Sequence, residues 1–267
     1  MRVIFWNTRR CDLGIFIRAL VDENDADLLI LAESRSPTAA LLEKLNEGDV
    51  RWSYAPSLGI SNTEVFVRGR GDFVIPKYDL PHMSIRRVFF PGSTPFILAT
   101  VHLISRLWRS EYDQAAASRD SVQALRDVEL DLAHSRSVVV GDFNMDPFSK
   151  GLILADSWNA VRTVDIAKRR QRTVDGRAYG YFFNPMWRLL CDGRNGRPAG
   201  TYFHGPTGYE SLHWHILDQV LLRPSMLKYF DHDSVSILKE CGEGNLASAN
   251  GRPNTSDHFP LLFSLRI

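Results

Sequence analysis

Short apolar runs, each meeting a polar side chain at or near one end, limit what this chain can fold into. Val3-Ile4-Phe5-Trp6 ends at Asn7, Leu28-Leu29-Ile30-Leu31-Ala32 ends at Glu33, and Phe96-Ile97-Leu98-Ala99-Thr100-Val101 ends at His102. Val138-Val139-Val140 runs through Gly141 into Asp142, and Ile216-Leu217-Asp218-Gln219-Val220-Leu221-Leu222 has an acid within or beside it. Such runs are too short for core helices and rich in β-branched residues, so they read as strands. Because they are apolar at nearly every position rather than at every second one, these strands are predicted to be buried on both faces. Strands of that kind need layers on either side, which points to an α/β architecture.

Helical signals fill the spaces between them. Gly14 to Val21 and Thr38 to Leu45 read as short amphipathic helices, the second with Ser36-Pro37 at its start. A longer helix is predicted to open at Ser110, with Asp113 completing a capping box and an apolar stripe through Ala115, Val122, Leu125, Val128 and Leu132. With 267 residues, 44% of them hydrophobic, the chain can bury a large core as one domain over 1–267.

Two motifs carry chemistry: Gly141-Asp142-Phe143-Asn144 and Ser256-Asp257-His258. Gly141 reads as the point where the strand ends and the backbone turns, leaving Asp142 and Asn144 at the strand's C-terminal edge, where α/β sheets bind ligands. With Asn7, Glu33, His102 and Asp218 they form the inventory of a hard-cation site with a histidine base beside it. Glu33 follows five apolar residues, so unless it binds a cation it needs another partner, such as Arg35.

In order and spacing this set resembles the endonuclease/exonuclease/phosphatase family, with the resemblance running from Asn7 to His258. It implies a four-layer α/β sandwich, two packed mixed sheets flanked by helices, with the active site at one rim. It also implies a metal-dependent phosphoesterase in which Glu33 and Asp257, braced by Asn7, hold Mg²⁺ or Mn²⁺. Asp218 and His258 would pair as a general base, with Asp142 as the other candidate for that role. Asn144 would hold a phosphate oxygen or the attacking water, and His102 would donate to the phosphate. Many family members have Arg-Ile-Asp-Tyr where this chain has Ile216-Leu217-Asp218-Gln219. His213 and His215 lie just upstream instead, as candidate substrate contacts or, with His204, transition-metal ligands.

The substrate class is read from arginines and aromatics. An insertion at about 159–213 carries Arg169, Arg170, Arg172 and Arg194 among Tyr181, Phe182, Phe183 and Trp187, while Arg106, Trp108 and Arg109 follow His102. Clustered cations neutralise backbone phosphates and interleaved rings stack bases, which favours a nuclease acting on DNA or RNA. The same rings could instead pack the insertion onto the sandwich. The alternative substrate is a small phosphoester, such as a phosphoinositide or sphingomyelin. A scaffold on a dead catalytic fold predicts eroded motifs, and none of the expected positions is eroded.

A formal net charge of +1 provides no global field for a polyanion, so any such binding must be local. Cys11, Cys191 and Cys241 are odd in number, lack metal-like spacing and read as reduced thiols. No stretch reaches the roughly 20 apolar residues of a membrane span. A first strand at residue 2 or 3 leaves no room for a signal peptide, and the expected location is the cytoplasm.

Overall fold

A computed structural model describes residues 1–106, 109–193, 197–205 and 211–267. In chain order the first half comprises β1 (Arg2–Asn7), α1 (Gly14–Glu23), β2 (Leu28–Ala32), α2 (Thr38–Leu45), β3 (Trp52–Ala55), β4 (Thr63–Arg68), β5 (Val74–Leu80), β6 (Met83–Val88), β7 (Phe96–His102) and α3 (Glu111–Asp131). The second half begins with β8 (Ser137–Asp142), α4 (Lys150–Ile153), β9 (Ala160–Val161), α5 (Val164–Ala167), β10 (Gln171–Val174), β11 (Arg177–Gly180) and β12 (Phe182–Phe183). It ends with β13 (Tyr202–Phe203), β14 (Trp214–His215), β15 (Asp218–Leu222), β16 (Ser236–Ile237), β17 (Glu240–Cys241), β18 (Gly244–Asn245) and β19 (Leu261–Ser264).

Two mixed sheets form the centre. One has the order β16-β19-β1-β2-β4-β3 and the other β5-β6-β7-β8-β15-β12-β9. Burial on both strand faces follows directly from the apolar runs. Val3, Phe5, Leu28 and Ile30 share the core between the sheets with Leu98, Val138, Val140 and Val220. The alternate residues Ile4, Trp6, Leu29 and Leu31 pack under α1 and α2 against Ile17, Leu20 and Leu41. On the other side Ile97, Ala99, Val139 and Leu221 pack under α3 against Val122 and Leu125. The order helix, sheet, sheet, helix is the four-layer sandwich, with the period of two assigning each strand residue to one core or another.

The helices form where the sequence places them, and α3 has both halves of its capping box: Ser110 Oγ accepts from Asp113 N, and Ser110 N donates to Asp113 Oδ2. Three details differ from the expectations drawn from the sequence. First, β8 does not end at Gly141. The strand continues through Asp142, with Gly141 paired to Val101 on one side and Gln219 on the other. Its φ is +153°, and a Cβ there would lie 1.9 Å from Val101 O, so glycine is required by the close approach of β7 and not by a turn.

Second, the strand around Asp218 begins at Asp218 itself. It runs antiparallel to β8, so its N-terminal residue lies opposite Asp142. Third, the stretch expected to be an irregular insertion contributes β9 and β12, the outer strands of the second sheet, as well as the β10–β11 hairpin. Strands of two residues have no periodicity to read. Tyr181, Phe182 and Phe183 are buried here, with Phe182 edge-on to Trp158, so these rings pack the core and are not exposed for base stacking.

Replacing Gly141 with Ala forces a methyl group into the β7 backbone, and a loss of about 3 kcal/mol is expected from overpacking and backbone strain combined. Denaturant unfolding of Gly141→Ala measures it, and stability equal to that of the unaltered chain would contradict the close-approach reading.

Candidate active site

The register of the strands brings the polar ends together. β1 and β2 are parallel with Asn7 opposite Ala32, which sets Glu33 one residue beyond it. β7 and β8 are parallel with His102 opposite Asp142, and Asp218 lies on the other side of Asp142. The chain preceding β19 delivers Asp257 and His258 to the same edge, anchored by Ser256 Oγ donating to Asn7 O (2.8 Å) and Trp6 Nε1 donating to His258 O (2.9 Å). A cleft of about 640 Å³ opens there, lined in part by Asn7, Glu33, His102, Asp142, Asn144, Asp257 and His258.

Two acids from different sheets meet on one amide. Asn7 Nδ2 donates to Asp142 Oδ2 at 2.9 Å and lies 3.4 Å from Glu33 Oε1. Asn7 Oδ1 in turn accepts from Arg9 N at 3.0 Å, fixing which way the amide faces. His102 Nε2 stands 3.3 Å from Glu33 Oε1 and 3.9 Å from Asp142 Oδ2. The hydrogen bond with His102 holds the half-buried Glu33 carboxyl well below its ordinary value, at about 2. Burial disfavours charge on His102, but the Glu33 hydrogen bond and the charge of Asp142 outweigh it and raise its pKa.

Asp218 and His258 lie together, the pairing that the family resemblance implies. His258 Nδ1 is 2.8 Å from Asp218 Oδ2, both groups are buried, and His258 Nε2 lies 3.9 Å from Asp142 Oδ2. Burial opposes the imidazolium, yet the charge of Asp218 and its hydrogen bond, followed by Asp142 and Asp257, push His258 up to about 9. Burial pushes the Asp218 carboxyl up as well, so one proton is held tightly between the two groups. Asp142, Asp218 and His258 also offer ligand atoms within 4.8 Å of one another, the one such metal-capable group among the described residues. Asn144 is held in a left-handed conformation (φ 51°), its backbone N–H donating to Asp142 Oδ1 and its side-chain amide to Leu103 O, each at 2.8 Å.

Other candidates divide between cleft and surface. Arg106, Arg109 and His215 line the cleft, and Trp108 and Arg194 lie outside the described residues. His213 is exposed and stacks on Phe203 at 5.9 Å, while His215 Nδ1 is engaged by Asp146 Oδ2 at 2.7 Å, so the two histidines do not converge on a metal. Arg169, Arg170 and Arg172 are exposed and away from the cleft. Tyr181 bonds both Arg170 and Arg223, and Arg223 follows Leu222 at the end of β15 remote from Asp218, roughly 13 Å along the strand. The arginine beside Glu33 is Arg10, with Nε at 3.9 Å, and not Arg35.

Three contributors escape sequence reading. Asp146 is buried and accepts from both the His215 ring and Ile216 N. Tyr202 places its ring 4.8 Å from that of His258. Thr201 Oγ1 accepts from Leu217 N and Asp218 N, at 3.1 and 3.2 Å. Only Asp146 has a local signal, standing two residues beyond the Gly141–Asn144 motif.

Known proteins resemble this chain at the level of family and fold. The model of the Endonuclease/Exonuclease/phosphatase family matches residues 4–258. No curated protein matches the sequence significantly. Among solved structures, the human Nocturnin catalytic domain with a bound sulfate anion is 17% identical, covering 99% of this chain and 93% of that one with a TM-score of 0.57. D. rerio TDP2 complexed with a single-strand DNA product is 17% identical over 100% and 99% of the two chains, with a TM-score of 0.52. The endonuclease domain of TRAS1, a telomere-specific non-LTR retrotransposon, is 13% identical over 99% and 97%, with a TM-score of 0.51. At these identities the likeness is one of fold. Among the described residues, no helix is long and apolar enough to cross a membrane.

The His258 pair has a consequence for stability. Its contribution is complete below the ordinary value of 6.5 and is lost as pH rises through about 9. With divalent cations removed by EDTA, the melting temperature is expected to fall across that interval, and to fall less in His258→Gln. Equal slopes in the two proteins would exclude the pair as a source of the pH dependence.

Proposed function

This chain belongs to the endonuclease/exonuclease/phosphatase family and is a phosphoesterase; from this we propose that it is a divalent-metal-dependent nuclease cleaving a phosphodiester by in-line attack of water. The observation that carries the proposal is the meeting of Asn7, Glu33, His102, Asp142, Asn144, Asp218 and His258 at one edge of the two sheets. A phosphodiester resists attack because its oxygens are negative. Its hydrolysis requires charge neutralisation, an activated water and a stabilised leaving oxyanion.

The donor set fits a hard cation, since the carboxylate oxygens of Glu33 and Asp142 face one neutral amide and, among the described residues, only arginine and histidine stand near enough to balance them. Glu33, braced by Asn7, and Asp257, which lines the same cleft, would hold Mg²⁺ or Mn²⁺. When bound, that ion supplies charge neutralisation at the phosphate and a lowered pKa for water. His258 is our first choice of general base: its Nδ1 is committed to Asp218, and with a bound cation offsetting the charges of Asp142 and Asp257 that help hold it protonated, its Nε2 would accept a proton from the attacking water. His102 Nε2 would donate to a phosphate oxygen in place of its present bond to Glu33, and Asn144, fixed by Leu103, borders the same cleft.

Nucleic acid is favoured over a lipid headgroup for two reasons. Arg106 and Arg109 flank the cleft beside His102, and a protein of the same fold has been solved with a single-strand DNA product. Asp142→Asn, Glu33→Ala and His258→Ala should each lower turnover by at least about 10²-fold. The assay compares single- and double-stranded DNA, RNA, phosphoinositides and sphingomyelin, with Mg²⁺, Mn²⁺ or EDTA. Release of phosphate or headgroup from a lipid alone would overturn the nuclease assignment. Near-normal turnover in a folded His258→Ala protein would remove His258 from the mechanism.

A further inference from the structure

Immediately after Asn7 the chain does something unusual. Arg9 and Arg10 both adopt left-handed backbone conformations, with φ of 49° and 58°, and Glu33 across from them does the same at 50°. For residues other than glycine this costs roughly 1–2 kcal/mol each, and it persists only where surrounding contacts impose it. Those contacts are present. Thr8 N and Thr8 Oγ1 bond Ala32 O, Arg10 N bonds Glu33 O, Arg9 N bonds Asn7 Oδ1, and Cys11 N bonds Thr8 O. The turn is thus bolted to the end of β2, and it lays two exposed guanidinium groups against the site acids: Arg9 Nε is 3.3 Å from Asp257 Oδ2 and Arg10 Nε 3.9 Å from Glu33 Oε2.

We propose that Arg9 and Arg10 are a two-position counter-ion: they balance Asp257 and Glu33 when no divalent cation is bound, and bind the phosphates flanking the scissile one when it is. The second half of this proposal rests on the nuclease reading. Electrostatics drives the exchange between the two positions. A carboxylate that gains a divalent cation no longer attracts a guanidinium, and the cation repels it. The side chains, 65% and 80% exposed, can then turn outward with little penalty, while the bolted backbone keeps them at the rim. There they would meet a polyanion beside Asp257 and Glu33, which line the same cleft as Arg106 and Arg109, and a guanidinium fork suits phosphate oxygens. A substrate with one phosphate gains little from this arrangement, whereas a polynucleotide gains one contact per neighbouring phosphate.

The test uses Arg9→Gly/Arg10→Gly, because glycine relieves the left-handed strain and the variant should melt no lower than the unaltered protein. Arg9→Lys/Arg10→Lys retains the charge. In calorimetric titration with Mn²⁺ alone, the glycine variant is expected to bind several-fold more tightly, because no guanidinium competes for the acids, and the lysine variant to resemble the unaltered chain; unchanged Mn²⁺ affinity in the glycine variant would overturn the counter-ion role. In cleavage of a single-stranded oligonucleotide, KM should rise about tenfold and the salt dependence of binding should flatten by about 0.7 for each phosphate that the variant no longer neutralises. The rise should be several-fold smaller for a dinucleotide. An unchanged KM and salt slope in an active glycine variant would overturn the phosphate role alone, whereas failure of the unaltered protein to cut any polynucleotide would overturn the nuclease reading and the phosphate role together.

Discussion

The hydrogen bond from Asn7 Nδ2 to Asp142 Oδ2 ties the last residue of β1 in one sheet to the last residue of β8 in the other, and both groups are buried. A buried carboxylate without partners is costly, so Asp142 depends on this amide, on the Asn144 backbone N–H and on the nearby imidazoles of His102 and His258. Those partners come from β1, β7, the turn after β8 and the approach to β19. The relative placement of the sheets is therefore also the placement of the site: sliding one sheet along the other by a residue would separate Asn7 from Asp142, and slipping β8 by a residue within its own sheet would turn its side chains into the wrong core.

Around that bond the fold concentrates both charge and strain. Glu33, Asp142, Asp218 and Asp257 lie at one rim, with His102 and His258 raised in pKa by their neighbours so that each can carry part of the balancing charge. Arg9, Arg10, Glu33 and Asn144 all hold left-handed backbone. Strain and crowded like charges are both unfavourable by themselves, and the sandwich supplies the burial that sustains them. A site built in this way is pre-set to receive a cation and an anionic ester, since together they relieve the repulsion among its acids and among its cationic side chains.

The remote end of the second sheet has the opposite character. There Arg223 and Glu129 form a buried bidentate pair at 2.9 Å, Ser137 Oγ adds a bond to the same carboxylate, and the guanidinium lies 4.0 Å from the Phe182 ring centroid. This end locks β15, β8 and α3 together, and the arginine-rich hairpin β10–β11 hangs from it. A charge cluster that suggests a substrate track when read along the chain thus sits at the structural end of the sheet. Sequence proximity to aromatics could not reveal this, because Tyr181, Phe182 and Phe183 point into the core.

Much was settled by local pattern. The apolar runs specified strands buried on both faces, Ser110 and Asp113 specified the start of α3, and the residues at the strand ends specified Asn7, Glu33, His102, Asp142 and Asp218 as neighbours, because strand ends in a layered sheet share an edge. What only the tertiary structure decided are the pairings without a local signal: Asp146 with His215, Tyr202 with His258, and Arg9 and Arg10 with Asp257 and Glu33. The two-residue strands β9 and β12 and the role of Gly141 belong with them. Each depends on which strand lies beside which and in what register, and that is fixed by the closure of two sheets over a shared core, where the partners of a given residue can stand 69 or 252 positions away.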